Sequence, residues 1–152
     1  MSDSTAARVL LVANRTAATE QLCAAVRDRV RRGPATFHLV VPASPHGLHK
    51  LVDPQDADAG EAERALATAL PMLSEAAGEP VAGHVGDGEP LMAIADAVNG
   101  AGYDEIVIST LPRRLSRWLH LDLVSKARGF GLPVTHVEAS EHAPEREHAT
   151  TG

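Results

Sequence analysis

Four short stretches hold the side chains with chemical capability, and each follows an apolar run: Asn14-Arg15-Thr16, residues 42–50, Gly86-Asp87-Gly88, and residues 109–117. They carry several hydroxyls, among them Ser109 and Thr110, and four arginines, Arg15, Arg113, Arg114 and Arg117. A guanidinium donates paired hydrogen bonds in a geometry that matches phosphate or carboxylate, and a helix N-terminus adds unpaired backbone N–H groups to the same attraction. If the first and fourth strands are neighbours, these groups share one crevice suited to a small anion. The plain alternative is that the arginines are solvated loop charges.

The stretches lack the arrangements that covalent or metal chemistry needs. There is no Gly-x-Ser-x-Gly, no Walker loop and no Gly-x-Gly-x-x-Gly. A phosphoacceptor domain of this architecture requires paired acids after its first strand, where this chain has Asn14-Arg15. His46-Gly-Leu-His49 has its glycine misplaced for a nucleotidyl-transfer motif and follows the second strand instead of the first. His46, His49 and Asp53 are metal-ligand types, yet loop histidines are usually solvated, and no metal is expected. His38, His84 and His136 fall within strands and are expected to find partners in the sheet. Cys23 is expected in the core, since no basic residue precedes it in helical register.

What must position these stretches is a regular alternation of two periodicities. Apolar runs at 8–13, 36–41, 80–85, 105–109 and 133–137 read as strands. Between them lie four helical patterns. The first is capped by Thr16, carries Leu22, Val26 and Val30, and ends at Gly33-Pro34. The second carries Ala62, Leu66, Ala69, Leu70 and Leu73, with Pro71 expected to kink or split it near Ala67. The third starts at Pro90 with an inward stripe of Leu91, Ile94, Ala95 and Val98, and the fourth follows residues 110–117 and ends near Gly131. Trp118, with Leu115 and Leu119, has the spacing of a packing anchor. Five strands alternating with four helices predict a three-layer α/β sandwich around a five-stranded parallel sheet, with ligands beyond the carboxyl ends of the strands.

Length and charge agree with this. A chain of 152 residues fits one domain. Only four aromatics stand against 26 alanines, so stacking platforms for single-stranded nucleic acid are lacking. The net charge of −6 sits mostly at the ends: residues 8–137 hold 15 acids and 13 bases, which argues against a duplex-binding face. No nucleic-acid or membrane partner is expected. The single cysteine and the lack of a basic, apolar leader predict a cytoplasmic protein.

The order of elements, the opening Val-Leu-Leu-Val-Ala, the Val85-Gly86-Asp87-x-x-Pro90-x-x-x-Ile94 stretch and the closing Leu-Pro-Val-Thr-His-Val resemble the universal stress protein family over residues 8–138. The resemblance implies a Rossmann-like fold of the adenine nucleotide alpha hydrolase type. It also implies strand order 3-2-1-4-5, a homodimer through the last strand, and a site that in some members holds ATP. The binding residues expected on this basis are Ala13, Asn14, Arg15, Val41, Gly86, Asp87, Ser109, Thr110, Arg113, Arg114 and Arg117.

The departures are as informative. ATP-holding members carry an Asp after the first strand and a Gly-x-x-Gly, nine residues, then Gly-Ser or Gly-Thr after the fourth. Here those four glycine-loop positions read Ser109, Pro112, Asp122 and Leu123. Replacing three glycines should close a phosphate cradle, so family-type ATP binding is expected to be impaired. The resulting expectation is a stress-protein-like domain at 8–138 between disordered ends at 1–7 and 139–152. It would bind or sense a small anion, an adenine nucleotide or phosphate, without catalysing a reaction. The alternatives are a weak ATPase or phosphotransferase, and a partner-binding domain that uses the sheet edge.

Overall fold

Val9, Leu10, Leu11 and Val12 have no exposed surface, the burial that a strand covered on both faces requires. In the computed structural model, which describes residues 6–43 and 54–139 (for 54–59 the backbone alone), they form the centre of a five-stranded sheet. The strands are β1 (Ala7–Val12), β2 (Ala35–Pro42), β3 (Ala82–Gly86), β4 (Glu105–Thr110) and β5 (Val134–Glu138). All neighbours are parallel and the order is β3-β2-β1-β4-β5, as expected. The connecting helices are α1 (Glu20–Arg31), α2 (Pro54–Ala77), α3 (Pro90–Gly100), α4 (Arg117–His120) and α5 (Leu123–Ala127).

The period-2 alternation of the strands divides the core in two. Val9, Leu11, Leu39 and Val41 face one layer with Leu22, Val26 and Leu73, whereas Leu10, Val12, Val40, Ile106 and Ile108 face the other with Ile94, Trp118 and Leu123. Each large aliphatic side chain buried this way stabilises the fold by roughly 1.5–3 kcal/mol. Cys23 lies in the first cluster, where burial pushes its thiol pKa up, as its expected core role requires. At the amino ends of the strands, Arg29 of α1 clasps Glu105 of β4 with Nε–Oε1 and Nη2–Oε2 distances of 3.0 and 2.8 Å.

Four local expectations are corrected. Thr19, not Thr16, caps α1, its Oγ1 accepting from the Leu22 amide at 3.4 Å, because the Thr16 hydroxyl is engaged elsewhere. α2 runs through Pro71 as one helix, so of the two expected outcomes, a kink or a split, the split does not occur. Pro71 and Ala67 both lie on its exposed face, where water can satisfy the carbonyl that loses its donor. On α3 the buried residues are Pro90, Ala93, Ile94 and Ala97, so small side chains press against the sheet while Leu91 and Val98 flank them. The fourth helical pattern is broken in two at Asp122, whose φ of 61° is left-handed. β1 begins at Ala7, and Ala139 is buried with its amide donating to the Thr110 carbonyl at 2.8 Å.

Candidate ligand cleft at the carboxyl ends of the strands

Strand order reverses between β1 and β4, and the loops leaving them part to either side of the sheet. A cleft of about 520 Å³ opens there, within the size range of small-molecule sites. β1 is followed by Asn14 and Arg15, β2 contributes Val41 and Pro42, and β4 ends in Thr110 and Leu111. α2 adds Glu61, the α3 start adds Glu89 and Pro90, and the α4 segment adds Leu115, Ser116, Arg117 and Trp118. Ser116 sets the start of α4, accepting the Leu119 amide on its hydroxyl at 3.1 Å.

Of the eleven binding residues expected from sequence, Asn14, Arg15, Val41, Thr110 and Arg117 line this cleft. The others do not. Ala13 is fully buried, its amide donating to the Val40 carbonyl at 3.3 Å. Gly86 is a packing glycine: a Cβ there would stand 3.1 Å from that of Ala93 on α3. Asp87 accepts the Glu89 amide on Oδ1 at 2.8 Å, which shapes the turn into α3. Arg113 and Arg114 sit in an exposed 3-10 turn outside the lining, with the Arg113 amide donating to Glu138 Oε2 at 3.2 Å. Ser109 is buried, its Oγ 2.7 Å from Thr16 Oγ1, so this hydroxyl ties the loop after β1 to β4 and lies outside the cleft lining. His46, His49 and Asp53 lie outside the described residues.

Two carboxylates were not anticipated. Glu61 and Glu89 oppose Arg15 and Arg117 in formal charge, so the lining is mixed. Glu89 directly precedes the helix-starting Pro90 and was legible on that ground, whereas no local motif marks Glu61. Trp118 packs as its spacing predicts, 7% exposed within the second core cluster, and it also forms cleft wall. The Thr110 hydroxyl, on the cleft floor, is held between the Leu111 carbonyl and His136 Nε2, each at 2.8 Å.

The Thr16–Ser109 pair gives a direct test of how the loop after β1 is locked to β4. Thr16→Val is expected to cost about 1–3 kcal/mol, because Ser109 keeps a buried hydroxyl without its partner. Thr16→Val combined with Ser109→Ala should cost less than Thr16→Val alone, an ordering that urea denaturation of the variants measures.

Among solved structures, a universal stress protein from Archaeoglobus fulgidus superimposes with a TM-score of 0.62 over 86% of this chain and 93% of its own, at 18% identity. The chain has the universal stress protein fold. A universal stress protein in complex with cAMP matches at a TM-score of 0.59, with 14% identity over 90% of this chain and all of the other. The Archaeoglobus fulgidus protein in complex with dAMP matches at 0.58, with 20% identity over 88% and 98%. No protein-family model and no curated protein matches the chain. Within this stress-protein fold, Asp122 stands where the resemblance places a glycine, and it keeps the left-handed backbone that glycine favours. No helix among the described residues is long and apolar enough to cross a membrane.

Proposed function

We propose that this chain is a stress-protein-like, non-enzymatic binding module of the cytoplasm that dimerises through β5. Its cleft would take an adenine nucleoside monophosphate, or a phosphate of similar size, in preference to ATP. The mixed lining carries this reading: Arg15 and Arg117 can meet one phosphate, while Glu61 and Glu89 can accept from ribose hydroxyls or an exocyclic amine and oppose the charge of a triphosphate. The neighbours with cAMP and dAMP support a ligand of that class. β5 is an edge strand with Val134 and Val137 half-buried, which suits a paired edge.

Native mass spectrometry of freshly purified protein, followed by a thermal-shift series of AMP, cAMP, ADP, ATP and phosphate, tests both halves. The expected result is a dimer stabilised most by a monophosphate, by about 2.7 kcal/mol at a hundredfold excess over Kd, with the effect lost in Arg117→Ala. Strongest stabilisation by ATP, or none by any of these, would overturn the ligand assignment. The cleft carboxylates favour one second reading, a weak ATPase or phosphotransferase with Glu61 or Glu89 as base. Phosphate release above background that disappears in Glu89→Gln would replace the first reading with this one.

A further inference from the structure

His38 of β2 and His84 of β3 stand on the same sheet face, away from the cleft lining, with His38 Nε2 2.8 Å from His84 Nδ1. The register explains the meeting: His38 pairs with Ala82 and His84 with Val40, so the two rings are diagonal neighbours across adjacent strands, centroids 5.0 Å apart. His38 is half-buried and His84 exposed. A single hydrogen bond satisfies one nitrogen on each ring, as expected of sheet histidines. Yet two imidazole nitrogens brought this close are also the beginning of a coordination sphere.

We propose that His38 Nε2 and His84 Nδ1 form a surface site for one divalent transition-metal ion, of the Zn²⁺ or Cu²⁺ class, bridging β2 and β3. Metal–imidazole bonds of about 2.0–2.1 Å need the nitrogens to part slightly, which rotation of the exposed His84 ring allows. The proton now held between the rings moves to the other nitrogen of its own imidazole, so both ligands are neutral and no net charge is shed. Among the described residues no third His, Cys, Asp or Glu joins the cluster, so water fills the remaining positions. Arg8, whose guanidinium lies 5.2 Å from the Tyr103 ring centre, also opposes a dication, and the site is accordingly one of modest affinity.

The test is Cu²⁺ and Zn²⁺ titration of the full, tag-free chain by calorimetry, with electron paramagnetic resonance of the Cu²⁺ form to count nitrogen ligands. One equivalent should bind with two-nitrogen coordination, and His84→Ala should weaken it at least tenfold and remove one nitrogen. Because His84 is exposed this variant keeps the fold, which circular dichroism verifies, and His38→Ala should give the same loss. Failure of the wild type to take up one equivalent, or an affinity and nitrogen count unchanged in His84→Ala, would overturn the site.

Discussion

Replacing Trp118 with alanine is expected to lower the unfolding free energy by about 3–5 kcal/mol and, together with this, to abolish the monophosphate stabilisation proposed above. The indole is 7% exposed and packs with the cluster that contains Leu10, Ile94, Ile108 and Leu123, so its removal leaves a cavity beneath α4. The same ring is wall to the cleft, and its loss releases Arg117 and Ser116, its neighbours in the lining, from their present position. Trp118→Phe should restore most of the stability. Denaturant unfolding of both variants, followed by circular dichroism because the only tryptophan is gone, reads the effect. A loss below about 1 kcal/mol would mean that the indole is a surface lid and not an anchor.

Gly83→Ala is expected to destabilise by about 3 kcal/mol, at the upper end for an inserted methyl group. A Cβ at this position would fall 2.6 Å from the Leu39 carbonyl oxygen and 2.7 Å from Leu66 Cδ1. The leucine tip can swing away. The carbonyl cannot, because Leu39 is the register partner of Gly83 in the β2–β3 ladder, and the strands would have to separate. Gly86→Ala meets the Ala93 Cβ at 3.1 Å, a contact that a small shift of α3 relieves, and should cost less. Melting temperatures of the two variants should therefore fall in that order. Equal melting temperatures would show that β3 adjusts freely at the sheet edge.

The fold was legible because each strand is a short apolar run and each connection carries helical periodicity, signals that survive without tertiary information. Chain direction and crossover handedness then leave few sheet orders, and the family resemblance selected the one observed. Where tertiary contacts compete with local signals, reading failed. Thr16 has the residue type of a helix cap, yet its hydroxyl pairs with Ser109 across 93 positions of sequence. Ala93 and Ala97 face the sheet of which Gly86 is part, a choice set by close approach that hydrophobicity alone ranks below Leu91 and Val98. In the cleft, loop arginines were visible as chemistry, but only geometry separates Arg117 in the lining from Arg113 and Arg114 outside it. Glu61 reaches the same cleft from within α2, a position without any signal in its neighbours.

The left-handed joint at Asp122 divides one side of the molecule into a four-residue helix and a five-residue helix. Neither is long enough to persist by its own hydrogen bonds. The wall that holds Leu115, Ser116, Arg117 and Leu121 is therefore a separately editable panel, pinned by one indole and one serine cap, while the sheet behind it is fixed by residues with no exposure at all. Leu115 and Leu121, 61% and 43% exposed, can change without disturbing any strand. The lining on this side of the cleft can thus be exchanged residue by residue while the sheet behind it stays as it is.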